Sequence, residues 1–179
     1  MSEFLEHLDR VVEQMSQRYF GKYRGSVVDT ADPTKKGMLK VQVPSVLGEK
    51  SVWAMPCAPY AGDQLGFFAL PPVETSVWVE FEAGNIDLPI WSGCFWKDGE
   101  IDSADAIEGV AFWKTPGLTI RIDNDAGEVE IETSGGAKIT MKGDGIKIEA
   151  PEVELSGNGG TAKVSASGFD AMNGALTAM

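Results

Sequence analysis

Residues 71–93 read PPVETSVWVEFEAGNIDLPIWSG, and two incompatible readings fit them. Trp78 and Trp91 could stack on a sugar ring, with Glu80 and Glu82 beside them as an acid pair. The same letters also make two barrel strands joined by a polar turn. In an extended chain Val77, Val79 and Phe81 fall on one face and Trp78, Glu80 and Glu82 on the other, because strand side chains alternate with a period of two. The two glutamates then leave one face about 6.8 Å apart. That spacing is near the roughly 6.5–9.5 Å of inverting glycosidases, whose carboxyls flank the scissile bond from opposite sides. Neighbours that point the same way cannot do this, so the strand reading is preferred.

The pattern extends on both sides. KYRGSVVDT leads through the polar loop ADPTKKG to MLKVQVP, in which Leu39, Val41 and Val43 alternate. SVWAMPCAP reads as a third strand, LGFFALPP as a fourth, TSVWVEFEAG as a fifth and DLPIWSGCFW as the last. Five or six short strands in about 75 residues suit a small closed barrel, which removes vulnerable sheet edges. An SH3-like barrel or a small sandwich fits the same pattern.

The 179 residues, 43% hydrophobic and 23% charged, describe a folded domain with room for an appendage. A net charge of −12 argues against a basic surface for nucleic acid or anionic membrane. Cys57 and Cys94 are too few for a disulfide framework and read as free, part-buried thiols. No apolar run approaches the roughly 20 residues that span a bilayer. The acidic N-terminus lacks the features of a signal peptide. Synthesis and folding in the cytoplasm are expected.

Residues 2–20 read as a helix: Met1, Leu5, Leu8, Val12, Met15 and Tyr19 recur at spacings of four and three, with Ser2 to cap it and Gly21 to end it. Packing on its own domain and packing on a partner subunit fit equally well. Residues 97–117 look like a connector. A loose repeat follows, with apolar pairs Leu118/Ile120, Val129/Ile131, Ile139/Met141, Ile146/Ile148 and Val153/Leu155 separated by glycine-rich turns. Ile122 adds to the first pair. Nothing nearby in the sequence covers the apolar face of these strands, and a lone ribbon is marginal. An intertwined trimer and a single-chain β-solenoid fit the period equally.

Chemical motifs are weak. His7 is the single histidine, so neither a catalytic triad nor a zinc site has enough partners. DNDAGE (123–128) opens like a calcium loop but has Ser134 where the bidentate glutamate belongs. GNGGTA (157–162) lacks the Gly-Lys-Ser/Thr of a phosphate loop. No catalytic residue, metal ligand or cofactor is expected.

Several quoted features occur together in one known family. Asp32-Pro33, Gly37, Val43-Pro44, Trp53-Ala54, Gly66 to Pro71, Val77 to Glu82 and Pro89-Ile90-Trp91 keep its order and spacing. Over about residues 20–96 the chain resembles the OB-fold domain of contractile-tail spikes, namely the phage baseplate assembly protein V family, injection-system spikes and part of VgrG. The ending FDAMNGALTAM is also similar to the close of such spikes.

The resemblance implies a mainly β homotrimer with an N-terminal helix (1–20), an OB-fold five-stranded collar (21–96), a connector (97–117) and an intertwined triple-stranded β-helix with its apex (118–179). It further implies a structural spike, carried in a virion tail or extracellular particle, that meets a baseplate hub and pierces the target envelope on firing. Trp78, Glu80, Glu82, Trp91, Leu5, Leu8 and Val12 are the expected subunit or hub contacts. The apolar pairs from Ile120 to Leu155 form the expected shaft core. No closely spaced histidines follow His7 to hold an apical metal, so a separate PAAR-type tip protein is expected at Ala175, Leu176 and Met179. A carbohydrate-binding or hydrolytic module, and an effector carrier, are the competing functions.

Overall fold

The computed structural model describes residues 7, 12, 18–171 and 176–178. The chain forms two compact units, Met1–Glu100 and Ile101–Met179. Most of the expected N-terminal helix lies outside the described residues. Of its stripe, Val12 is helical and exposed.

In the first unit, β1 (Tyr23–Asp29), β2 (Leu39–Gln42), β3 (Ser51–Pro56), β6 (Ser76–Phe81) and β7 (Pro89–Cys94) close a barrel in the order β1-β2-β3-β7-β6. β6 returns to β1, with Val77 opposite Gly25 and Trp78 opposite Arg24. β3 and β7 run parallel, and the remaining neighbours are antiparallel. A closed barrel rules out the small sandwich. Its core is Val27, Leu39, Val41, Val43, Ala54, Val77, Val79 and Phe81, the alternate positions of four strands and the residue after β2. Their burial is the main stabilising term for the unit. Gly25 is required by close approach, since a Cβ there would lie 2.9 Å from the Gln42 carbonyl oxygen and 3.2 Å from Val79.

Three sequence readings need correction. LGFFALPP is not a barrel strand: β4 (Ala61–Gly62) and β5 (Leu65–Gly66) form a separate hairpin, and Phe68 is exposed. Glu82 is not on β6 but opens a 3-10 turn, Glu82–Gly84, in which Ala83 and Gly84 have positive φ. Both cysteines are free and exposed rather than part-buried.

The barrel has two distinct ends. Tyr19 packs on Tyr23 and Phe81, its amide donates to the Gly84 carbonyl at 2.9 Å, and Arg18 Nη1 donates to the Ala83 carbonyl at 2.8 Å. The short α1 (Pro44–Leu47) lies at this same end. The loop 30–38, the hairpin and the exit through Phe95 belong to the opposite end, where the Phe95 amide donates to Ser76 at 3.2 Å.

Asp32 organises that loop. Its carboxylate accepts from the Thr34 amide and hydroxyl, the Lys36 amide and the Met38 amide at 2.7–3.1 Å. Desolvation pulls its pKa upward, but the hydrogen bonds from Thr34, Met38 and Lys36 outweigh this and lower it from 3.8 to about 2. A depressed folded pKa stabilises the fold above the unfolded value, and this contribution is lost as pH falls through the folded one. The melting temperature of Asp32→Ala should therefore lie below wild type at neutral pH, with the gap closing as pH falls from about 4 to about 2. A gap independent of pH would refute the linkage.

In the second unit β8 (Val110–Lys114), β9 (Leu118–Asp123), β10 (Glu128–Thr133), β11 (Lys138–Lys142) and β12 (Gly145–Glu149) form an antiparallel meander. A second meander comprises β13 (Glu152–Gly157), β14 (Gly160–Ser165), β15 (Gly168–Ala171) and β16 (Leu176–Ala178). The expected connector thus contains a strand, β8, because Pro116-Gly117 turns a hairpin instead of closing a linker. Asn158 and Gly159 both take positive φ between β13 and β14, which makes GNGG a type I′ hairpin turn. DNDAGE is the β9–β10 turn, in which Asp123 accepts from the Ala126 amide at 2.9 Å.

Candidate assembly surfaces

The pairing register gathers the repeat into two apolar rows. Trp113, Ile120, Ile131, Ile139 and Ile148 stand opposite one another across the five strands, and Ala111, Ile122, Val129, Met141 and Ile146 form a parallel row. The second meander continues the motif with Val153–Val164–Phe169 and Leu155–Ala162–Ala171–Leu176. Every expected shaft residue is therefore in one of these rows. Among the described residues no side chain of this unit is buried, and Ile146 is 70% exposed. All the buried hydrophobics among the described residues belong to the barrel.

The opposite face is a lattice of ion pairs. Lys138 pairs with Glu130, Lys142 with Glu128 at 2.7 Å, and Arg121 with Asp123 at 3.2 Å. The Lys138 ammonium, through its hydrogen bond, holds the Glu130 carboxyl below its ordinary pKa, and the lysine is raised in return. Such partly exposed pairs contribute little stability each, but they keep this face hydrated and leave the apolar face as the one that lacks cover.

On the collar, Trp78 does not offer an open ring face. The Arg24 guanidinium lies 5.0 Å from its centroid and 4.6 Å from that of Phe95, and the two rings are 4.7 Å apart. Glu80 pairs with Lys22, which also donates to Ser92 Oγ at 2.8 Å, and Ser92 donates to Glu80 at 3.3 Å. The hydrogen bond from Lys22 is the main cause of the lowered Glu80 pKa. Trp91 donates from Nε1 to the Gly37 carbonyl at 3.2 Å, tying β7 to the loop 30–38. Glu82 is exposed on its turn. Trp78, Glu80 and Trp91 thus share the barrel wall but enter separate contacts.

Arg24, Phe95 and Lys22 were not legible as site residues. Alternation along β1 puts Arg24 outside the barrel, but only the β1–β6 register sets it against Trp78. Of the other expected contacts, Leu5, Leu8, Ala175 and Met179 lie outside the described residues. Val12 and Leu176 are exposed.

Residues 23–96 match the model of the Type VI secretion system/phage-baseplate injector OB domain. Residues 110–177 match that of the phage baseplate V C-terminal trimerisation domain. The chain belongs to the baseplate V and VgrG-like spike family. No curated protein matches it by sequence. The first match spans the whole barrel, β1 to β7, and makes it an OB domain. The second begins at the first residue of β8, runs through both meanders as far as Thr177 in β16 and supports a homotrimer. Both matched domains are structural parts of a spike-type assembly rather than enzymes.

Proposed function

We propose that three copies of this chain form the central spike of a contractile machine: a phage tail, a tailocin or an extracellular injection system. The observation that carries the reading is the shaft unit, whose apolar rows, aligned within each of its two sheets, have no cover among the described residues. Three copies around one axis turn these rows inward and leave the ion-paired faces in water. Burial on this scale stabilises an assembly by roughly 25 cal/mol per Å² of apolar surface. Backbone hydrogen bonds between successive strands then spread an axial load along the shaft, which suits a piercing element. The experiment is the mass in solution: light scattering should give three times the 19.2 kDa chain, and a monomer would defeat the proposal.

In this reading the collar sits on the baseplate hub, with Trp78, Glu80, Glu82, Trp91, Leu5, Leu8 and Val12 at subunit or hub contacts. A PAAR-type tip protein meets the apex at Ala175, Leu176 and Met179, and an effector is an optional cargo. The spike is non-enzymatic, is assembled in the cytoplasm of the producing cell and leaves in the particle. Among the described residues no helix is long and apolar enough to cross a membrane. The competing sugar module is disfavoured because Arg24 covers Trp78 and Lys22 engages Glu80.

A further inference from the structure

The collar carries two exposed apolar features at the end where the chain leaves the barrel. The first is the β4–β5 hairpin. It is a built element: the Phe67 amide donates to the Tyr60 carbonyl at 3.0 Å, and a Cβ on Gly66 would lie 3.0 Å from the same oxygen, so glycine permits the close approach. It displays Tyr60 at 59%, Leu65 at 63% and Phe68 at 73% exposure, and Asp63 is the one charge between residues 58 and 73. The second feature is an open cleft of about 400 Å³ between Val73–Thr75 and Cys94–Trp96, with Glu100 at its rim. Val73 and Trp96 are 50% and 65% exposed. Neither feature forms part of the barrel core.

Exposed apolar groups clustered in this way mark a contact with another protein. A threefold ring needs two different patches on each chain, one meeting the other on the next copy, because its interfaces are heterologous. We propose that the β4–β5 hairpin of each copy seats Leu65 and Phe68 in the Val73/Phe95/Trp96 cleft of the neighbouring copy and locks the collars into a closed ring. The inference rests on the trimeric reading above. It selects a second copy as occupant because the trimerisation match begins at residue 110, ten residues along the chain from Glu100, so in a trimer the short tether keeps the collars of neighbouring copies close to one another. The low charge of the hairpin suits a cleft with mostly apolar walls, and of its two glutamates, Glu74 and Glu100, the second is paired with Lys97 at 3.7 Å.

Cys94 provides a native thiol at the cleft. In full-length protein carrying Cys57→Ser and Leu65→Cys, a short bis-maleimide should convert most of the chain to covalent dimers and trimers on a denaturing gel. Adding Cys94→Ser should abolish those bands. In otherwise wild-type protein, Leu65→Asp with Phe68→Asp should raise the alkylation rate of Cys94 several-fold while the shaft keeps the trimeric mass. A trimer that yields no inter-chain bands, or only bridges within one chain, together with unchanged Cys94 alkylation, overturns the ring contact and leaves the spike reading intact. A monomeric wild type overturns the spike reading itself.

Discussion

Ile131→Asp is expected to convert the trimer to monomers. Ile131 is at the centre of the five-stranded sheet, paired with Ile120 on β9 and Ile139 on β11. In the proposed spike it would face the other two copies, and an aspartate there would be an unpaired charge in an apolar interior. Leaving a buried charge without compensation costs about 3–5 kcal/mol, and the threefold axis brings three such carboxylates together. Light scattering should therefore report the single-chain mass at concentrations where wild type is trimeric. Glu130→Gln, on the opposite face and in a partly exposed ion pair, should change stability by at most about 1 kcal/mol and leave the mass unaltered. If Ile131→Asp remained trimeric, the apolar rows would not be the interface.

Leu39→Ala should instead destabilise the collar and leave the shaft assembled. Leu39 is fully buried, and the core around it is built from valines, Ala54 and Phe81. Truncating a buried leucine costs about 2–5 kcal/mol, depending on how far the site collapses. Tryptophan emission should follow this loss in urea, since four of the five tryptophans, Trp53, Trp78, Trp91 and Trp96, are in the first unit. The midpoint of the emission change should fall while the trimeric mass persists below it. Loss of both at one midpoint would show that collar and shaft unfold as a single cooperative unit.

The barrel was legible wherever alternation and burial agree. Val77, Val79 and Phe81 point inward as their spacing requires, and so do Leu39, Val41 and Val43. LGFFALPP misled because an apolar run between turn formers looks like a strand. β3 already pairs with β7, so no barrel edge is left for residues 67–71. β8 was hidden by its own pattern: Val110 and Phe112 share one face and Ala111 and Trp113 the other, so both faces are apolar there and no alternation marks a strand. The candidate contacts were harder to read than the fold. Trp78 looked like an open ring until the register of β1 set Arg24 against it.

Residue order alone determined which side chains share a face, where the glycine turns fall and that the shaft strands carry one apolar side. Those properties are local, set by the two-residue period of a strand and by turn chemistry. It also determined the resemblance to contractile-tail spikes, through motifs kept in order and spacing. Only the tertiary structure decided that the shaft strands pair as antiparallel meanders with their chain neighbours, which the parallel coils of a single-chain solenoid would not do. It alone showed that the apolar side stays uncovered among the described residues of one chain. Pairing and burial depend on which distant residues come together, and the spacing of the apolar pairs suits an intertwined trimer and a solenoid equally.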